Sequence, residues 1–394
     1  MNTFGELALD LRSLVIFRGL LKDKVVHRLL RLLEAIDSPT AECVNQYSAL
    51  MAQLYPCGDN LTDYLLRRVL LDDNIYIRLV AQGRKPDAHL TRCVEQELCK
   101  IGRIARLAAA DVCATLGYAG YLPQWQTSNI DFAALYLGAA STAATRGYGM
   151  FAEYAMFQRK GGVLVPVEHP DPIRLSDLCG YEHQHEEVVR NTLALIAGKP
   201  AANALLYGDA GTGKSSTVKA VVNEYSEQGL RLIELTKNQL HEIPDIIAGL
   251  SDNPLNFILF IDDLSFTSIG DEFNALKAVL EGSASARTQN FAIYATSNRR
   301  HLIKERFSDR EGDDIHLNET MQEMASLSDR FGLSVGFYKP DKRQYLDIVL
   351  ALKHRHDIVM EDNTLFLEAE RFATLRGGRS PRAAMQFILQ LKAR

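Results

Sequence analysis

Through the first 160 residues apolar positions return every three or four places, the period of helices that bury one face. Val25, Val26, Leu29, Leu30, Leu32, Leu33 and Ile36 mark one such face. Asn60 reads as the N-cap of another helix, carrying Leu61, Leu65, Val69 and Leu70. Further on, IARLAAADVCATLGYAGYL and DFAALYLGAASTAAT are rich in small residues, which lets helices approach closely. No repeat period, metal constellation or catalytic signature stands out here, so residues 1–160 are expected to form an all-helical N-terminal domain of unassigned function.

The texture changes at Gly161-Gly162. The segment GGVLVPVEHPDP suits a linker or an edge strand, and residues 161–174 are taken as the linker. Beyond it, ANALLYG, LRLIELT, NFILFIDDL, NFAIYATSN and LSVGFYK are short aliphatic and aromatic runs separated by helical patterns. That alternation predicts parallel strands with crossover helices on both faces of one sheet over residues 175–340. Residues 341–394 return to helical periodicity, as a small C-terminal cap.

Gly208-Asp209-Ala210-Gly211-Thr212-Gly213-Lys214-Ser215 fits G-x-x-x-x-G-K-[ST] at every fixed position. Glycines let backbone N–H groups curl around phosphate oxygens, and the helix that follows points its positive end at the anion. In this pattern Lys214 neutralises the β and γ phosphates and the Ser215 hydroxyl ligates Mg²⁺, and Gly208 to Ser216 are expected to bind the nucleotide. The context agrees: Ala204, Leu205 and Leu206 supply the strand before the loop. Val218, Val221, Val222 and Tyr225 supply a helical face after it, and Gly229 a stop. The expected fold is an α/β P-loop NTPase.

A phosphate loop needs a carboxylate for the magnesium shell at the end of a neighbouring buried strand. Phe257 to Ile261 followed by Asp262-Asp263 provides it. Asp262 is assigned to Mg²⁺ through water, and Asp263 to orienting or deprotonating the attacking water. Asn298, at the polar end of the strand Phe291–Ser297, is placed to donate to the γ-phosphate or to that water.

With Asn298 the order and spacing of motifs resemble the AAA+ superfamily. The resemblance implies a five-stranded parallel sheet with flanking helices and a helical lid. Ser326-Leu327-Ser328-Asp329-Arg330-Phe331-Gly332 is similar to the box that carries the arginine finger, which makes Arg330 the candidate. Arg382 in Gly378-Arg379-Ser380-Pro381-Arg382 matches the second sensor, with Arg379 a possible substitute. Leu178-Cys179-Gly180-Tyr181-Glu182 resembles the segment that packs beside adenine. More narrowly, GYEHQHEEVVRNT, LLYGDAGTGKSSTVKA, FIDDLSF, YATSNRRHL and SLSDRFGL together resemble a bacterial AAA+ family catalogued as domain of unknown function eight-fifteen, from about Leu175 onward. One departure matters: most AAA+ proteins carry glutamate where Asp263 stands. The shorter arm implies slower hydrolysis and resembles the replication initiator and helicase-loader branch.

Composition narrows the classes. Across 394 residues, 47% hydrophobic and 24% charged residues describe an ordinary globular protein. A net charge of −5 argues against a surface built wholly for nucleic acid. No apolar run reaches membrane-spanning length, and Glu6 and Asp10 stand where a secretory signal carries positive charge, so cytoplasm is the default expectation. The six cysteines match neither a zinc site nor a disulfide scaffold and read as small buried side chains. The i,i+2 pairs His183/His185 and His354/His356 fall on different sides of a helix, against a metal site. Arg299, Arg300 and Arg306 near Asn298 read as solvated or paired arginines. Thr236-Lys237-Asn238-Gln239 lacks the aspartate of a guanine-reading motif, which disfavours GTP. The expectation is an ATPase, using ATP and Mg²⁺ and acting as a homo-oligomer, that remodels a protein partner held by the N-terminal domain. Two alternatives stand beside it: a nucleic-acid-associated loader or initiator, and an ATP-binding switch that does not hydrolyse.

Overall fold

A computed structural model describes residues 3–266, 270–281, 290–298, 327–328 and 330–393. Contacts divide the chain into two units, Met1–Glu153 and Tyr154–Arg394.

The first unit is helical: α1 (Thr3–Arg12), α2 (Lys24–Ala35), α3 (Thr40–Leu54), α4 (Leu61–Leu70), α5 (Ile75–Ala81), α6 (Ala88–Ala105), α7 (Ala109–Thr115), α8 (Phe132–Ser141), and the single turns α9 (Ala143–Arg146) and α10 (Met150–Glu153). Asp23 starts α2 by accepting from the N–H groups of Val25 (2.9 Å) and Val26 (3.1 Å). The apolar face read from the sequence is buried. Asn60 caps α4 as expected, accepting from Thr62 and Asp63. The small-residue stretch is interrupted at residues 106–108, between α6 and α7. After α7, residues 116–131 run without a helix, anchored by Trp125, whose Nε1 donates to Leu107 O (2.8 Å) and whose ring stacks on Tyr47. Glu97 on α6 is buried because its carboxylate accepts from the N–H groups of Val15, Ile16 and Phe17, fixing the turn after α1. The expectation for the cysteines needs correction: of the six, only Cys43 is buried, while Cys57 and Cys99 are exposed, one in a turn after α3 and one on an outer face of α6.

In the second unit, β1 (Met156–Lys160) and β2 (Val163–Pro166) form an antiparallel hairpin turning at Gly161-Gly162. Then follow α11 (Glu182–Ile196), β3 (Ala204–Gly208), α12 (Lys214–Tyr225), β4 (Leu230–Leu235), α13 (Ile243–Leu250), β5 (Asn256–Ile261), α14 (Asp271–Leu280), β6 (Phe291–Ser297), β7 (Leu333–Phe337), α15 (Lys342–Arg355), α16 (Asp362–Leu375) and α17 (Pro381–Lys392). The sheet order is β2-β1-β4-β5-β6-β3-β7. The five strands expected from the sequence form the continuous parallel block β4-β5-β6-β3-β7. The hairpin extends it to seven strands, through β1 running parallel to β4.

On one face of the sheet Leu206, Ile258, Phe260, Tyr294 and Val335 pack with Val188 of α11 and Val218, Val221 and Val222 of α12. Leu205, Leu259 and Ile293 alternate to the other face and are buried too, so both faces are covered. The last three helices bury their own cluster, including Tyr345, Val349, Leu365, Ala369, Ala384 and Ile388. Asp341 and Gln344 cap α15 reciprocally. Ser380 caps α17 with Pro381 at its first position. Among the described residues no helix is long and apolar enough to cross a membrane.

Candidate active site

The chemistry gathers at the carboxyl ends of three neighbouring parallel strands, β5, β6 and β3, where doubly covered sheets open a crevice. β3 is buried along its whole length and ends at Gly208, whose φ is +131°. A Cβ there would lie 2.0 Å from Phe337 O of β7, so only glycine lets the two strands pair this far. The loop turns through Asp209 to Gly213, and α12 begins at Lys214. The Thr212 hydroxyl donates to Asp209 O (2.8 Å) and closes the turn from within.

Lys214 is 7% exposed. Its ammonium donates to Gly208 O (3.0 Å), Asp209 O (2.7 Å) and Asn298 Oδ1 (3.2 Å). Burial lowers its pKa, opposed by the carboxylates of Asp209, Asp262 and Asp263 and assisted by Arg382. Ser215 Oγ donates to Asp262 Oδ1 at 2.5 Å. Thr296 donates its hydroxyl to the same oxygen and accepts from the N–H of Asp263 (2.9 Å). Asp263 leaves the strand in a left-handed conformation, φ +51°, and its carboxylate accepts from Asn298 Nδ2 (2.8 Å). Lys214, Asn298, Asp263, Thr296, Asp262 and Ser215 therefore form one hydrogen-bonded network. The register explains it: Ile261 pairs with Ala295, so the next residues, Asp262 and Thr296, emerge side by side.

These groups floor a cleft of about 420 Å³, within the usual range for small-molecule sites. Residues Ala210 to Ser216 line it with Asp262, Asp263, Asn298 and Arg382, and its other end is walled by Leu178, Ile348, Leu352 and Met385. Tyr181 lines that end with φ +64°. Its hydroxyl donates to Tyr338 O (2.5 Å), and its ring lies 5.4 Å from that of Phe337. Gly180 sits behind it against α15, where a Cβ would be 2.9 Å from Ile348 Cδ1. His185 also lines the cleft, its pKa lowered by burial.

The three arginines singled out in the sequence separate. Arg382 faces the cleft, its backbone N–H donating to Gly211 O (3.2 Å). Among the described residues its guanidinium forms no ion pair. Arg379 is turned away and forks onto Glu370 at 2.8 and 2.7 Å, holding that carboxyl below its usual range. Arg330 lies outside the cleft, paired with Glu281 at 2.6 Å. Ser326 and Asp329 of the finger box, and Arg299, Arg300 and Arg306, lie outside the described residues. Thr296 and His185 were not assigned from the sequence. The available signal for Thr296 was its place one residue beyond the partner of Ile261.

A mostly parallel sheet with this strand order, a glycine-rich loop leading into α12, acids on the next strand but one and a helical cap define an AAA+ ATPase-like protein. The chain belongs to the family described as Protein of unknown function (DUF815), which matches residues 151–394. It is also similar to two replication factor C large subunits. One, from Thermofilum pendens, is 29% identical over 147 residues, 34% of this chain and 34% of that protein. The other, from Staphylothermus marinus, is 33% identical over 76 residues, 19% of this chain and 17% of that one. The chain thus spans about a third or less of these relatives. Among solved structures it is similar to the Thermotoga maritima RuvB Holliday junction branch migration motor, at 20% identity and a TM-score of 0.39. That similarity covers 56% of this chain and 65% of the other.

Proposed function

We propose that the cleft binds ATP with Mg²⁺ and hydrolyses it to ADP and phosphate, and that the cycle remodels a protein partner held by the N-terminal helical domain. The observation that carries the reading is the single network joining Lys214, Ser215, Asp262, Thr296, Asp263 and Asn298 at three adjacent strand ends. The residues fit such a nucleotide. The loop Gly208 to Gly213 opens onto a helix N-terminus, suited to phosphate. Among the described residues the Lys214 ammonium donates to oxygens of Gly208, Asp209 and Asn298, and it lines the cleft, where it would meet the β and γ phosphates. The Ser215 hydroxyl and the Asp262 carboxylate lie together where a magnesium shell needs oxygen ligands. Bound Mg²⁺ supplies neutralisation of phosphate charge.

Asp263 accepts the proton of the attacking water, and Asn298 holds that carboxylate in place. Tyr181, backed by Gly180, flanks the base, and Arg382 joins the phosphates to the lid. Arg330, away from its own cleft, is the group to reach a neighbouring copy's nucleotide in a homo-oligomer, a contribution worth roughly 10³–10⁵ in rate.

Calorimetric binding of ATP with Mg²⁺ tests the reading. Wild type binds, and Lys214→Ala, still folded, loses the heat of binding. Equal affinity in both would overturn the assignment. Two other readings each have an observation. The short Asp263 arm, already engaged by Asn298, favours a switch that binds ATP without hydrolysing it, recognised by ATP-dependent assembly without phosphate release. The partial similarity to replication factor C large subunits favours a nucleic-acid-associated ATPase, recognised by salt-sensitive DNA binding that ATP stimulates.

A further inference from the structure

We infer that Asp209 is a positioning residue that latches the phosphate loop to the arm carrying the helical lid. Asp209 is the one carboxylate inside a loop built for anions, where its charge opposes phosphate, so its presence calls for a geometric reason. Its Oδ2 accepts the backbone N–H of Lys339 (2.8 Å), and its own N–H donates to Phe337 O (2.9 Å). Phe337 ends β7, and residues 338–341 are the arm that runs from β7 into α15.

The circuit closes on the far side. Lys339 Nζ donates to Gly377 O (3.5 Å) in the turn before α17, and the N–H of Arg382 in α17 donates to Gly211 O (3.2 Å). The phosphate loop is therefore held to the lid twice, at Asp209 through the arm and at Gly211 through α17. The backbone oxygen of Asp209 also accepts from Lys214 Nζ, so the residue that positions the loop's lysine is the residue that holds the arm. A shift of the loop on taking up phosphates moves Asp209, and Lys339 must follow or release it. The latch rests on the ATP reading of the cleft and specifies how loop occupancy reaches the lid.

Hydrogen exchange of the amides of Lys339, Asp341, residues 377–380 and residues 382–384 tests it. Each protein is compared without nucleotide and at saturation with Mg·ADP or a non-hydrolysable ATP analogue, so changes of affinity drop out. In wild type and in Asp209→Asn, which keeps an acceptor oxygen, nucleotide slows exchange roughly tenfold, an ordinary coupling between sites. In Asp209→Ala the slowing falls to within about twofold of none. Lys339→Pro removes the donor from the other side. It also removes the Lys339 Nζ bond to Gly377 on the same circuit and leaves the loop's own residues intact, so, read at Asp341 and at residues 377–380 and 382–384, it gives the same loss should Asp209→Ala not fold. Full slowing in Asp209→Ala or Lys339→Pro overturns the latch. So does an Asp209→Asn that behaves like alanine, which would assign the effect to charge. Bound nucleotide without any slowing in wild type overturns the latch and leaves ATP binding standing, whereas no nucleotide bound at all overturns both.

Discussion

Gly208→Ala is the substitution whose cost follows most directly from the structure. The new Cβ would meet Phe337 O at 2.0 Å, Phe337 C at 2.6 Å and Phe337 N at 3.0 Å. All three are backbone atoms of a paired strand, so no rotamer relieves the clash. Alanine would also have to occupy φ +131°, a region essentially reserved for glycine. Backbone strain of about 1–3 kcal/mol and overpacking of about 1–3 kcal/mol together give a destabilisation of about 2–6 kcal/mol. Against a typical total of about 5–15 kcal/mol, that is a large share. Gly198→Ala is the control: φ is +65° but nothing lies within 4 Å of its Cβ, and the left-handed conformation alone costs about 1–2 kcal/mol. The chain's one tryptophan, Trp125, belongs to the first unit, so its fluorescence does not read the effect. Urea dependence of hydrogen exchange at the amides of Leu205 to Tyr207 reads β3 directly. Equal costs for the two alanines would refute the close approach of β3 and β7.

Two further outcomes are expected. Thr296→Val keeps the shape but leaves the Asp263 N–H without its hydroxyl partner and removes one of the donors to Asp262. A loss of about 1–3 kcal/mol in the site corresponds to a rise of roughly five- to 160-fold in the Mg²⁺ concentration needed for nucleotide binding. A Mg²⁺ titration that does not move would count against that role. The pKa of His185 is lowered from its ordinary 6.5 by burial, so below pH 6.5 the unfolded chain takes up a proton that the folded unit resists. Stability of the second unit therefore falls as the pH drops from 6.5 through the lowered value. His185→Gln should flatten that slope in acid denaturation, and an unchanged slope would show that other groups set it.

Elements governed by local chemistry were legible in the sequence. Helix α2 and the start of α4 follow from apolar period and capping, and β3 through β7 from short buried runs between helical patterns. The glycine-rich loop between β3 and α12 and the acids after β5 were legible in position because each is a run of adjacent residues at the end of a short buried strand. The β1–β2 hairpin was harder: MFQRK mixes polar and apolar residues, and its glycine-rich turn looks the same in a linker as in a hairpin. Its place beside β4 depends on long-range pairing that no local pattern encodes. The same holds for Thr296 beside Asp262, Lys339 beside Asp209 and Arg330 against Glu281, where partners lie 34 to 130 residues apart. Glu97 shows the limit in the helical unit, since a glutamate at the end of the polar run Glu95-Gln96-Glu97 reads as exposed until the turn it caps is in place.

The proposal of an ATPase whose sites are completed between copies is tested most directly by steady-state phosphate release from Mg·ATP as a function of protein concentration. Wild type, Lys214→Ala and Arg330→Ala are compared. The account predicts that wild-type specific activity rises with concentration, that Lys214→Ala releases no phosphate, and that Arg330→Ala binds ATP yet loses turnover by roughly a thousandfold or more. Release by Lys214→Ala at the wild-type rate would contradict the cleft, and unchanged turnover in Arg330→Ala at saturating protein concentration would contradict the shared site.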